Sequence, residues 1–183
     1  MRIIAGKYGG RVLNSPPNYD VRPTIDKVKE ALFSKIQLKV PFSTVLDLFS
    51  GTGALGIEAL SRGADKVIFV DKSKESCRIT ESNLIKLGEK CEVINMDYAL
   101  ALQSFKAKKI KFDIIFIDPP YDLNLGEEVI KKIASCDILN DNAIIVYEHL
   151  FKKDFTINLP PNFEVTDERK YGTVGLTYIT YKI

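Results

Sequence analysis

From Thr44 onward the chain alternates between short, almost wholly apolar runs and amphipathic stretches, and this alternation constrains the fold more than any other feature. The apolar runs are Thr44–Phe49, Lys66–Val70, Cys91–Asn95, Phe112–Ile117 and Ala143–Tyr147. Between them, Ala54–Arg62, Lys74–Leu87, Tyr98–Phe105 and Gly126–Ser135 carry apolar residues at helical spacing. Continuous apolar strands separated by helices predict a parallel sheet covered on both faces. The tail breaks the rhythm. Phe155–Leu159, Phe163–Tyr171 and Gly175–Tyr181 read as strands with no helix between them, so an antiparallel edge is expected. The predicted fold is therefore α/β: a doubly wound, mostly parallel, Rossmann-like sheet with antiparallel C-terminal edge strands. Right-handed crossovers bring the C-terminal end of every parallel strand to one edge, where such folds bind ligands.

Ahead of that core lies a different segment. Residues 1–22 are rich in Gly, Pro and Asn, with strand-like pieces at Arg2–Ala5 and Arg11–Leu13. Arg22-Pro23-Thr24 predicts a helix start with Thr24 as the cap, Ile25, Val28, Leu32 and Ile36 on its apolar face, and Pro41 as its stop. Residues 1–42 hold eight Lys/Arg against three acids, while the whole chain is only +2. A basic arm on a slightly acidic body points to a polyanionic partner.

Several classes are disfavoured. No apolar run approaches the roughly 18 residues of a membrane helix. MRIIAGKYGG has no signal-peptide apolar region, and Cys77, Cys91 and Cys136 are odd in number with no zinc spacing. These features predict a cytoplasmic protein with reduced thiols, no metal and no membrane partner. His149, the single histidine, is read as structural, and the cysteines as core residues.

The first apolar run leads into VLDLFSGTGALG, where Gly51, Gly53 and Gly56 match GxGxxG. Asp71 follows Gly51 by 20 residues and ends the second run, where an acid can hold ribose hydroxyls. The pattern fits a nicotinamide enzyme or an S-adenosylmethionine enzyme equally. Asp47, just before the loop, discriminates. It would oppose a pyrophosphate but attract an ammonium or sulfonium group, by about 4 kcal/mol at about 4 Å and an effective dielectric near 20. Asp97, after the third run, can accept from an adenine amino group or cap the following helix.

The fourth run ends in Asp118-Pro119-Pro120-Tyr121. Two prolines leave no backbone N–H to donate, so the turn can present acceptors to an –NH₂ group. Tyr121 can stack on a flat ring. An exocyclic base amine is a poor nucleophile because its lone pair is conjugated into the ring. Holding both its hydrogens aims that electron density at a methyl carbon. Asp118 is expected to accept the released proton or to hold geometry.

DPPY, LDLFSGTGALGIEALSRGA, RIIAGKYGGRVL, VRPTIDKVKEALF and ERKYGTVGLTYI together resemble the RsmD family of bacterial ribosomal RNA guanine-N2 methyltransferases. The resemblance extends over nearly the whole chain. It implies a seven-stranded class I methyltransferase fold, S-adenosylmethionine as cofactor and a guanine of 16S rRNA in the small subunit as target. The implied cofactor set is Asp47, Phe49, Gly51, Gly53, Asp71, Asp97, Tyr98 and Asp118. Asp118, Pro119, Pro120 and Tyr121 would hold the amine, with Arg22, Pro23 and Thr24 near the cleft. Arg2, Lys7, Arg11, Arg22 and Thr24 form the expected RNA-binding set. Residues 1–42 are then an RNA-binding extension and 43–183 the methyltransferase domain of a monomer. With no appended RNA-binding domain, recognition is expected to use a pre-assembled particle. DPPY alone leaves adenine-N6 and protein-glutamine methylation open, as well as a ribosome assembly factor of methyltransferase fold.

Overall fold

The computed structural model describes residues 1–16, 23–120, 125–152 and 156–183. Five strands run parallel: β1 (Thr44–Asp47), β2 (Lys66–Asp71), β3 (Glu92–Asn95), β4 (Phe112–Ile117) and β5 (Leu139–Leu150). They alternate with α2 (Ala54–Ser61), α3 (Lys74–Leu87), α4 (Tyr98–Ala107) and α5 (Leu125–Cys136), after α1 (Pro23–Ile36). The tail forms β6 (Phe163–Tyr171) and β7 (Val174–Tyr181), with β7 antiparallel to both β5 and β6. The sheet order is β3-β2-β1-β4-β5-β7-β6, so the strand order reverses between β1 and β4.

Period-two alternation divides the core. Val45, Phe69, Phe116 and Val146 face a layer made by α1, α2 and α3, which contribute Leu32, Phe33, Ile57 and Leu84. Leu46, Ile68, Ile115 and Ile145 face α4 and α5, which contribute Leu102, Phe105, Val129 and Ile133. Because strand side chains alternate, each strand needs apolar residues on both sides. That is why the runs are unbroken in the sequence.

Some expectations change. Of the expected strand Phe155–Leu159, Phe155 lies outside the described residues and 156–159 are irregular, with Ile157 and Leu159 packed on the α4/α5 side. The strand β5 is longer than its apolar run, because it begins at Leu139 and passes through a bulge. There the register shifts between Phe112 and Ile114, and Asn142 takes a left-handed φ of 61°. Arg2–Ala5 and Arg11–Leu13 make only an isolated antiparallel bridge, Arg2 to Val12. Helix α1 starts at Pro23, which puts Thr24 inside its first turn rather than at the cap, and ends at Ile36, short of Pro41. Proline suits the first helical position, since its missing N–H would have had no intrahelical acceptor.

The N-terminal segment is stapled to the core. Glu58 of α2, fully buried, accepts from the backbone N–H groups of Ile4 (2.8 Å) and Ala5 (3.1 Å). It also pairs with Arg62 (2.8 Å) and with the buried Lys29 of α1 (3.3 Å). Lys29 Nζ donates to the Arg2 carbonyl at 2.5 Å. One carboxylate thus fixes the arm, α1 and α2 together. Ile3, Tyr8 and Leu13 enter the same core as β1 and β2.

Candidate active site

At the C-terminal edge, over the reversal between β1 and β4, lies a cavity of about 510 Å³. Its wall takes Asp47, Phe49, Gly51 and Thr52 from the β1 end, Asp71 from β2, and Asp97 and Tyr98 from the start of α4. Asp118, Pro119 and Pro120 follow from β4, and Glu148 from β5. Met1, Pro16, Val28, Lys29 and Leu32 close it from the arm and α1.

The glycine loop is built for tight turning and close packing. Gly51 and Gly53 have φ of 52° and 79°, left-handed values that side chains disfavour. Gly53 caps α2 and is buried under Thr80, so it shapes the loop without lining the cavity. At Gly56 a Cβ would sit 2.3 Å from the Phe69 ring, so only glycine lets α2 lie this close to β2. Helix α3 holds the loop from behind: Thr80 Oγ1 donates to the Gly51 carbonyl (2.9 Å), and Asn83 Nδ2 to that of Thr52 (2.9 Å).

The acids that border the cleft are tied to the scaffold by backbone N–H groups. Asp47 is 2% exposed, and its Oδ2 accepts from the Gly56 N–H at 2.9 Å. Burial, opposed by that hydrogen bond and reinforced by the Asp71 charge, pushes its carboxyl up to about 7. Asp71 accepts from the N–H groups of Gly51 (2.9 Å) and Ser73 (2.8 Å), locking the β1 loop to the β2 turn. Asp97 does cap α4, accepting from the Ala99 N–H at 2.9 Å, and it also borders the cavity. Phe49 and Tyr98 pair with ring centroids 5.6 Å apart, and the Tyr98 hydroxyl donates to Glu128 at 2.8 Å. Burial and then the Glu128 and Asp97 acids push that phenol up to about 12.

Asp118 sits one residue beyond β4. Removal from water, then the Glu148 charge, then that of Asp47, hold its carboxyl well above the usual carboxylate range. Pro119 is buried and Pro120 exposed. Tyr121 and Arg22 lie outside the described residues, as does the side chain of Thr24.

The basic arm is less free than its sequence charge implies. Lys29 is consumed by Glu58, and Lys35 pairs with Asp167 at 2.8 Å. Arg2 and Lys7 contact Asp26 and Glu89 at 3.3 Å, but their side chains stay 64% and 69% exposed. Such exposed pairs are worth about 0–1 kcal/mol, so a phosphate can replace the carboxylate. Arg11 lies over the Tyr8 ring at 5.3 Å. None of Arg2, Lys7 and Arg11 lines the cavity; they lie on the arm beside it. The turn around Gly9 and Gly10 is pinned by the Gly9 N–H to Gly6, Gly10 N–H to Ile3 and Arg11 N–H to Tyr8 bonds.

The structure adds residues that sequence reasoning missed. Glu148 lies in β5, two residues before its end, and borders the same cavity, in a stretch read only for His149. An acid directly after the apolar run Ala143–Tyr147 was the available signal. Ser50 and Lys29 had no such signal. His149 is structural: its Nε2 meets Thr177 Oγ1 at 2.9 Å, its ring packs on Tyr147, and burial lowers its imidazole. Cys77 and Cys136 are buried and Cys91 is half-buried; all three are free thiols.

The donor set fits a cationic ligand. Asp47 is a buried carboxyl and Asp118 a half-buried one, and Ser50 Oγ is buried with no hydrogen-bond partner among the described residues. The ammonium and sulfonium of S-adenosylmethionine suit that floor, whereas a pyrophosphate would meet Asp47.

A seven-stranded sheet in this order, with β7 antiparallel and its cleft at the β1/β4 reversal, is the class I methyltransferase fold. A solved Escherichia coli structure described as "Putative methyltransferase yhhF" superposes with a TM-score of 0.87 at 32% identity, covering 100% of this chain and 98% of that one. The Haemophilus influenzae protein named ribosomal RNA small subunit methyltransferase D is 37% identical over 96% of this chain and 91% of its own length. The Escherichia coli K12 protein of that name is 32% identical over 96% of this chain and 87% of its own length. Residues 1–180 match the family model described as conserved hypothetical protein 95. The chain belongs to that family, which is the RsmD family.

Proposed function

We propose that this protein transfers a methyl group from S-adenosylmethionine to the exocyclic N2 amine of a guanine in 16S ribosomal RNA, acting on an assembled small-subunit particle. The observation that carries this reading is the Asp118-Pro119-Pro120 turn on the wall of an acid-floored cavity, beside the glycine loop. The names of the relatives support ribosomal RNA as the substrate.

The residues divide the work along the edge. Asp47 faces the ammonium end of the cofactor, Asp71 the ribose, and Asp97 with the Phe49–Tyr98 pair the adenine. The bound cofactor supplies an electrophilic methyl on a good leaving group. Asp118 and the turn hold the target amine so that its lone pair points at that methyl carbon. With that cofactor held there, the amine would take the methyl carbon, the sulfur would leave with the S–C electron pair, and the methylated amine would become acidic. Asp118, which the cofactor's positive charge holds as a carboxylate, accepts the proton. The base must be unpaired or flipped to reach this cleft. Arg2, Lys7 and Arg11 hold phosphates, with Arg22 and Thr24 of the same arm.

Radiolabelled methyl donor tests the reading, with small-subunit particles and naked 16S rRNA from cells lacking the enzyme as acceptors. Label is expected in RNA of the particles, at several-fold the rate on naked RNA. Label in the protease-sensitive fraction, or none in either acceptor, would overturn it.

A further inference from the structure

The β4/β5 register pairs Ile117 with Tyr147, so the next residues, Asp118 and Glu148, lie side by side where β4 ends and β5 runs on along β7. Neighbouring strands are about 4.8 Å apart. Ile117 and Tyr147 both face the α4/α5 layer, and alternation turns Asp118 and Glu148 to the other side, with Asp47. All three border one cavity, in the order Asp47, Asp118, Glu148 across β1, β4 and β5. The glycine loop flanks the Asp47 end. Glu148 therefore stands beyond the amine-holding turn, on the side away from the cofactor.

We propose that Glu148 accepts the ring N1–H of the target base and is the residue that restricts this site to guanine. The proposal rests on the reading of the cleft as an amine-methylating site. Guanine carries an exocyclic amine next to a ring N–H, two donors side by side on its Watson–Crick edge. The adenine N6 and cytosine N4 amines are instead flanked by an unprotonated ring nitrogen, an acceptor. Two adjacent acceptor groups, Asp118 for the N2 amine and Glu148 for N1–H, match guanine and set an acceptor against an acceptor for the other bases. Enzymes read flipped bases through this edge. A site built to take a donor rejects an analogue lacking it by about 10⁴–10⁵, since its polar group is left unpaired. The Glu148 charge is also the largest electrostatic influence on Asp118, consistent with their proximity.

The test uses small-subunit particles reconstituted with 16S rRNA carrying guanine or 2-aminopurine at the nucleotide the enzyme methylates. 2-Aminopurine keeps the amine, but its N1 has no proton. The wild-type protein is expected to prefer guanine by about 10³-fold or more in kcat/KM. Glu148→Gln, whose amide can donate to a bare N1, and Glu148→Ala should each narrow that preference by about 100-fold. Titration with S-adenosylmethionine alone should give both variants the wild-type Kd within about twofold, showing an intact cofactor site. A guanine preference unchanged in both variants overturns the role of Glu148. Absence of transfer to guanine particles by the wild-type protein overturns the methyltransferase reading itself, and this proposal with it.

Discussion

The substitution Asp47→Asn should stabilise the cofactor-free protein while weakening cofactor binding. The folded carboxyl lies at about 7 against an ordinary value of 3.8, chiefly because it is buried. Below pH 3.8 it is protonated in both states and costs nothing. As pH rises toward 7 the unfolded chain ionises it freely while the folded chain keeps the proton, so stability falls. Above 7 the penalty is complete. At 1.36 kcal/mol per pKa unit, the cost is about 2 kcal/mol at about pH 5 and about 4 kcal/mol at about pH 8.5. The asparagine side chain of the variant is neutral throughout, and its amide oxygen can still accept from the Gly56 N–H. The advantage of the variant should therefore grow by about 2–3 kcal/mol between those pH values, at about 2–4 °C of Tm per kcal/mol. Urea unfolding of the ligand-free protein across that range measures it directly. Calorimetric titration should show S-adenosylmethionine binding weakened about tenfold or more, the loss of one partly buried charge contact. A stability difference that does not change with pH would refute the assignment of a proton to Asp47.

Other perturbations probe the remaining parts. Glu58→Ala leaves Lys29 buried without its carboxylate and releases the Ile4 and Ala5 N–H groups. It should cost about 3–5 kcal/mol in denaturant unfolding. Gly56→Ala drives a methyl into the Phe69 ring and should cost about 1–3 kcal/mol in the same assay. Asp118→Ala should reduce methyl transfer to rRNA by about 10²–10³-fold while particle binding, measured by co-sedimentation, persists. Lys7→Ala with Arg11→Ala should weaken RNA binding and lower the slope of log K against log salt by about 1–2, read from filter binding at several salt concentrations.

Much of this architecture is legible in the residues. Val45, Leu46, Ile114 and Ile115 must be apolar on both sides because helices cover both faces, so the parallel strands announce themselves. The edge acids follow, since Asp71 and Asp118 come directly after such runs and Asp47 stands just ahead of the glycine loop. The less visible features depend on partners distant in sequence. Asn140-Asp141-Asn142 has turn chemistry, yet lies within β5 because a bulge accommodates a left-handed Asn142. Phe155–Leu159 alternates like a strand, but its residues 156–159 are irregular, packed on the core without entering the ladder. The Lys29–Glu58 pair looks in sequence like two solvated helix charges; only the fold brings them together and buries them. The arm's formal charge therefore overstates the cations it can offer to a partner.

Mass spectrometry of nucleosides tests the central claim most directly. Small-subunit particles from cells lacking the enzyme are incubated with the protein and S-adenosylmethionine, and their 16S rRNA is digested. The account predicts N2-methylguanosine, from one nucleotide, absent from the untreated control. N6-methyladenosine in its place, or no new methylated nucleoside, would contradict it.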